Sequence, residues 1–409
     1  MNAYGLVILA ALLVQNGLSL LADVLNLRAL RPELPAEFRD VYDGERYARS
    51  QEYTRARTRF GFWPQAVDLA VLLAFWFGGG FAWLDERVRG LGFGPVASGL
   101  VYIGVLALAK ALIDLPFRYY ATFVIEERFG FNKSTRATFW ADAAKGVALT
   151  IALGGPLLAA ILWFFERTGA SAWLWCWGVT AAFTLFVQFV APTWIFPLFN
   201  KFQPLEEGEL RAAILRYAER VGFPLEGLFV IDGSRRSTKA NAFFTGFGRR
   251  KRVALFDTLV AKHTTDELVA VVAHEIGHFK RGHILQGLAL SILQAGVVFY
   301  LLSIVLARQG LYEAFGVAQH SVYAGLVFFS LLYAPLDLVL SYLLQAFSRR
   351  NEFQADAWAR TTTGEPERLV SALKRLSADS LSNLTPHPLY VKLHHSHPPL
   401  VERIRALRA

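Results

Sequence analysis

Residues 266–307 read DELVAVVAHEIGHFKRGHILQGLALSILQAGVVFYLLSIVLA, and this stretch joins a helix that carries chemistry to one that crosses a membrane. From Ile284 onward it holds no charge for 24 residues, and about 20 apolar residues at 1.5 Å rise each are enough to span a hydrocarbon core. The first half places apolar residues at helical period, with Thr264 or Thr265 available as the cap. Within it lies His274-Glu275-Ile276-Gly277-His278. Positions i and i+4 share a helix face, so both imidazoles reach one cation while Glu275 sits beside the water that the cation activates. The pattern suits hydrolysis: zinc polarises a scissile carbonyl and acidifies water, and Glu275 takes the proton and delivers it to the leaving amine. Two surface histidines on a polar helix face would not follow so apolar a run as 268–273.

Six further stretches are apolar and long enough to span, near 4–26, 62–84, 95–116, 146–165, 171–195 and 323–346, making seven with 284–307. The first has no basic segment before it and no small-residue cleavage pattern after it, so it is expected to be a retained helix. The whole chain agrees with a membrane protein: 409 residues, 54% hydrophobic, 18% charged, mean hydropathy +0.34. That composition excludes a disordered chain and disfavours a purely soluble enzyme. One cysteine, Cys176, excludes an intramolecular disulfide and a cysteine-only metal site.

Lys and Arg number 8, 5, 14 and 10 in segments 27–61, 117–145, 196–283 and 347–409, against 0, 2, 1 and 1 in the alternate segments. Basic loops stay cytoplasmic, so the N-terminus is expected outside, with the C-terminus and both large polar segments in the cytoplasm. The net charge of +9 is thereby a topology signal and not a nucleic-acid footprint. The spans also carry Asp68, Lys110, Asp114, Gln188 and Asp337. Pairing or snorkelling near helix ends accounts for some of these, and a water-filled space among the helices for the rest.

The domain plan that follows is 1–195, five spans with cytoplasmic loops 27–61 and 117–145; 196–283, a polar segment with a small sheet and the HExxH helix; 284–346, two spans; and 347–409, the polar C-terminal part. Residues 196–202 read as an interfacial bend, 206–221 as an amphipathic helix, and 228–231, 242–245 and 252–256 as strands, the last two joined by a turn over 246–251. Helices are expected around 352–360, 366–377 and from about Pro399.

A catalytic zinc needs a third protein ligand and an open position. His at 284 would extend the motif, but that residue is Ile and His283 is one place off. A carboxylate from another helix is favoured, and Glu352 follows the seventh span much as His278 precedes the sixth. Asp356, one turn on, is placed to hold the second ring nitrogen of a liganding histidine. A charged helix face paired with Arg349, Arg350 or Arg360 explains Glu352 and Asp356 equally well. In the tail, His394-His395-Ser396-His397-Pro398-Pro399 and Arg403 form either an oxyanion-stabilising group near the metal or a solvated turn.

These motifs together resemble the type I CaaX prenyl proteases, integral-membrane zinc metalloproteases that cleave beside a prenylated cysteine. The resemblance covers nearly the whole chain. It rests on Asp40-Val41-Tyr42 with Ser50-Gln51-Glu52-Tyr53-Thr54, on Leu115-Pro116 with 122–133, on Asn241-Ala242-Phe243-Phe244-Thr245-Gly246, on 274–278, on 351–356, and on Ser396-His397-Pro398-Pro399. It implies that His274, His278 and Glu352 bind one Zn2+, that Glu275 is the base, and that Asp356 supports a ligand. It implies further that Asn241, His397 and Arg403 touch the peptide or the transition state, and that Ala242, Phe243 and Phe244 accept substrate by strand addition. The implied fold is mainly α: seven transmembrane helices enclose an aqueous chamber, capped by a cytoplasmic zincin-like protease domain with a small β-sheet. The expected partners are a peptide or protein substrate, prenylated in the family, and the lipid bilayer; a monomer agrees with the sequence. Short non-cytoplasmic loops, the ending Leu407-Arg408-Ala409 and 32 Arg against 10 Lys lead to the expectation of a bacterial inner-membrane member. A quality-control protease without prenyl specificity is the alternative with the same chemistry. A transporter is disfavoured by the complete hydrolase motif.

Overall fold

A computed structural model describes residues 1–245 and 251–409. Among these, seven helices are long and apolar enough to cross a membrane: Ala3–Arg28, Gly44–Phe77, Pro95–Glu126, Arg136–Arg167, Gly169–Phe199, His283–Val305 and Val322–Thr363. Each overlaps an expected span. The last has 42 residues, about 63 Å of helix at 1.5 Å per residue, roughly twice a hydrocarbon core. It therefore projects well beyond a bilayer. The separate helix expected around 352–360 is its continuation, because nothing in 346–352 is Gly or Pro to stop it.

The second expected span, 62–84, needs correction. The helix starts at Gly44 in polar sequence and ends at Phe77, and Gly79 takes φ +74°, a left-handed position that glycine adopts without steric penalty. Gly80–Arg89 is a separate helix that buries Phe81, Leu84 and Val88 and leaves Trp83 exposed. Unbroken hydropathy across the glycines concealed this break.

The sheet has four strands, β1 (Phe202–Pro204), β2 (Leu225–Ile231), β3 (Ala242–Thr245) and β4 (Lys251–Phe256), in the order β1-β2-β4-β3. β2 and β4 are parallel, and the outer pairs are antiparallel. β1, three residues ending in proline, is too short to be read from sequence. The expected turn over 246–251 lies outside the described residues up to 250. Among the described residues β3 pairs only with β4 and so presents an edge.

One buried cluster unites the polar parts of the chain. Leu228, Val253 and Leu255 of the sheet pack with Ile214 and Tyr217 of Glu209–Arg220, with Leu268, Val272 and Ile276 of Thr265–Lys280, and with Leu369 and Ile404 of Pro366–Asp379 and Leu400–Arg408. Phe38 and Tyr42, between the first two long helices, and Tyr47, in the first turn of the second, join the same cluster. A second cluster, including Tyr102, Leu162, Phe315 and Phe328, lies among the spans. Of the intramembrane polar residues, Lys110 donates to Asp68 across two helices and to Asp114 on its own. Gln188 is exposed and Asp337 half-buried.

Candidate active site

The helix Thr265–Lys280 is fixed at its start by a reciprocal cap. Thr264 accepts the Glu267 N–H, and the Glu267 carboxylate accepts the Thr264 N–H at 2.9 Å and the Ser371 hydroxyl at 2.6 Å. About three turns further on it meets the seventh span at Gly277. A Cβ added there would lie 3.0 Å from Trp358 Cβ and 3.1 Å from the Ala355 Cα and carbonyl oxygen. Only glycine lets the two backbones approach this closely. Ala355 sits between Glu352 and Asp356, so the approach aims His274 and His278 at those carboxylates.

The side chains of His274, His278 and Glu352 place one ligand atom each within 4.8 Å of one another. His278 Nε2 is 3.2 Å from Glu352 Oε1 and 3.2 Å from His274 Nε2, and His274 Nε2 is 3.5 Å from Glu352 Oε2. Glu352 Oε2 is buried and receives no hydrogen bond, although Arg403 Nη1 stands 3.3 Å away. A buried carboxylate oxygen left without a donor is costly, and a cation beside two imidazoles removes that cost. Two nitrogens and one carboxylate with a cavity alongside form the donor set of a catalytic zinc site. The residues present fit a metal.

Behind His274, Asp356 Oδ1 lies 2.8 Å from Nδ1, and Arg403 clamps Asp356 through Nε and Nη2 at 2.8 and 2.7 Å. Arg403 thus supports Asp356 with one edge and turns Nη1 toward Glu352. Burial opposes charge on His274, but the neighbouring carboxylates of Asp356 and Glu352 prevail and lift its pKa to about 9. Burial raises the carboxyl pKa of Glu275 against the pull of His274 and His278.

Glu275 borders a cavity of about 140 Å³ shared with Asn241, Ala242, Glu352, His397 and Arg403, one wall of which is Leu369, Leu373 and Leu376. His397 Nε2 is 3.3 Å from Glu352 Oε1. Phe243 and Phe244 do not line it: Phe243 stacks edge-on with Phe196 and Phe256, and Phe244 with Phe223. Lys239, two residues before Asn241, donates to Glu126 at 2.8 Å and Tyr53 at 2.6 Å, tying the approach to β3 to the second and third spans. Neither Lys239 nor the contacts of His283 with His278 and with Gln354 were read from sequence. Their one signal was His283, which stands next to the position an extended motif would use.

Residues 23–201 match the family described as CAAX prenyl protease N-terminal, five membrane helices, and 204–409 match peptidase family M48. The chain is 37% identical to CAAX prenyl protease 1 of Saccharomyces cerevisiae, over 92% of this chain and 88% of that protein. It is 33% identical to the human CAAX prenyl protease 1 homolog over the same shares, 92% and 88%. The crystal structure of S. mikatae Ste24p superposes with a TM-score of 0.95 at 34% identity, covering 100% of both chains.

Proposed function

Because this chain belongs to the CAAX prenyl protease family of M48 peptidases and is thereby a multi-pass membrane metalloendopeptidase, we propose that it is a zinc enzyme cleaving peptides near a prenylated or otherwise hydrophobic C-terminal segment. The observation that carries this reading is the convergence of His274, His278 and Glu352 within 4.8 Å beside a cavity bordered by Glu275.

His274, His278 and Glu352 would hold the ion, and bound zinc supplies Lewis acidity toward the scissile carbonyl and the attacking water. Glu275 takes the proton from that water and passes it to the leaving amine, and a carboxyl pKa raised by burial suits a base working near neutrality. The peptide pairs along the free edge of β3, with Asn241 and Ala242 at the end nearest the site. Phe243 and Phe244 contribute backbone groups to that pairing and rigidity through their rings. Arg403 Nη1 and His397 face the region where negative charge develops on the carbonyl oxygen, while the leucine wall favours an aliphatic side chain beside the cleaved bond. Segments 196–283 and 347–409 act as one catalytic unit. The basic loops argue for its location on the cytoplasmic side, and the polar residues of the spans for an aqueous chamber beneath it. The relatives reported above are eukaryotic, so a bacterial inner membrane rests on the short non-cytoplasmic loops and on arginine usage.

Purified protein should hold about one zinc per chain. Glu275→Gln should keep that zinc and lose cleavage of a farnesylated CaaX peptide by about 10²–10⁴-fold. Full activity of this variant, free of contaminating protease, would remove Glu275 as base. Equal cleavage of the farnesylated peptide, its unprenylated twin and an unfolded membrane protein would defeat the prenyl preference and favour the quality-control reading.

A further inference from the structure

The two ligand histidines are backed by different chemistry. His274 leans on the Asp356 carboxylate at 2.8 Å. His278 leans on another imidazole: its Nδ1 lies 3.0 Å from His283 Nδ1, and His283 Nε2 lies 3.0 Å from Gln354 Oε1. His283 is buried at 6% exposure and is the first residue of the sixth span, after Gly282 at φ +72°. The sharp turn at Gly282 is what folds the imidazole back onto the helix that carries His278. No step of the hydrolysis above uses His283 or Gln354.

A count of protons gives the pair a purpose. Gln354 Oε1 only accepts, so the proton of a neutral His283 sits on Nε2 and its Nδ1 presents a lone pair. That lone pair accepts the His278 Nδ1–H, and His278 Nε2 is left without a proton, facing Glu352. Reversing the Gln354 amide reverses every step: its N–H would donate to His283, His283 Nδ1–H to His278, and His278 would carry its proton on the nitrogen that must bind metal. The orientation of one amide thus decides which tautomer His278 adopts.

We infer that His283 and Gln354 are positioning residues that hold His278 in its metal-binding tautomer through the chain Gln354 Oε1, His283 and His278 Nδ1. This rests on reading His278 as a ligand. Groups that orient a ligand histidine affect metal affinity by about 10–100-fold, and this chain is built without an anion. The two halves of the site therefore differ in kind: an anionic support raises the donor strength of His274, whereas a neutral one orients His278 without adding charge beside Glu275.

The test is zinc affinity by chelator competition on the full-length protein in detergent, with the visible spectrum of the Co2+-substituted protein as a second readout. His283→Phe and Gln354→Met should each weaken zinc by about 10–100-fold and alter the cobalt bands. His283→Asn should restore both, because Asn Oδ1 falls where His Nδ1 was and accepts the same proton. Gln354→Glu, an acceptor only, should keep both. Melting of the zinc-free forms separates misfolding from a lost orientation, and Gln354→Met keeps the test open where His283→Phe folds poorly. Unchanged affinity in folded His283→Phe, or His283→Asn as weak as His283→Phe, overturns the inference while leaving the site reading intact. Zinc binding that survives His278→Ala overturns the site reading itself.

Discussion

Ion pairs occur in both halves of this molecule, but they are built to different standards. In the catalytic half, Arg403, Asp356, Glu352 and His274 have side chains 9%, 2%, 5% and 9% exposed, and their contacts interlock. In the membrane half, Lys110, Asp68 and Asp114 are also paired, yet their side chains remain 53%, 38% and 35% exposed. The spans as a whole are open: only 6–22% of residues in their most apolar windows are buried against protein. If the open faces of the spans meet water, the same chemistry carries opposite weight. Where water is excluded, removing one partner strands a charge and is expensive. Where it is present, a pair is screened and worth little.

The sharpest way to break this contrast is Arg403→Met. It leaves Asp356 buried with its two arginine hydrogen bonds gone, and removing one partner of a buried pair costs about 3–5 kcal/mol. Thermal unfolding in detergent should show a large drop, and zinc content should fall with it because His274 loses its support. An unchanged melting temperature would mean that water reaches Asp356 and that the catalytic half is no drier than the spans.

Glycine substitutions sharpen the same contrast at the next magnitude. Gly277→Ala places a methyl against Ala355 and Trp358, and overpacking of this kind costs about 1–3 kcal/mol. Zinc affinity should weaken as well, since the proposed ligands His274, His278 and Glu352 sit on the two helices being pushed apart. Gly287, in the sixth span, has nothing within 4 Å of an added Cβ. Gly287→Ala should leave zinc affinity unchanged and stabilise the helix by about 0.5–1 kcal/mol, the ordinary gain of alanine over glycine.

Legibility followed the same division. The spans and the HExxH pair were readable because hydropathy and the i, i+4 spacing are local properties of the chain. Glu352 was not decidable from its neighbours, since a charged helix face looks the same whether it meets solvent or a metal. What distinguishes it is the close crossing of Gly277 and Ala355, a contact between residues far apart in sequence. The helix break at Gly79 and the continuity through 346–352 were missed for a related reason. Hydropathy registers neither a left-handed glycine nor an uninterrupted polar helix. Phe38, Tyr42 and Tyr47 looked like loop residues, and only their packing against Leu268 and Leu384 in one cluster reveals them as core.

Glu267 tests the catalytic half through pH. Burial alone would raise its pKa, but the Ser371 hydroxyl, the Thr264 N–H and Arg375 prevail and hold it below 4.5. A carboxyl with a depressed folded pKa adds stability that is present above its unfolded value and fades as pH falls through the folded one. Glu267→Gln should therefore lower stability by about 1 kcal/mol near pH 7. The gap to the parent should close as pH drops below the ordinary carboxylate range. A gap that stays constant with pH would make the loss one of packing, not of charge.

The smallest effect belongs to the membrane half. Asp68→Asn removes one carboxylate from Lys110 but leaves Asp114 on the same helix. If these groups face a wet chamber, the loss is that of an exposed pair, under about 1 kcal/mol, and shrinks further as salt screens the remaining charges. If they face lipid, Lys110→Ala should be the more informative partner, because a lysine at mid-bilayer carries about 2.5–3.5 kcal/mol of insertion cost and its removal, together with both aspartates made neutral, would stabilise the protein. Melting of the two variants at low and high salt distinguishes these cases. Small, salt-sensitive losses fit a chamber, and a marked gain in the fully neutral triple variant would turn this face of the helices toward the bilayer.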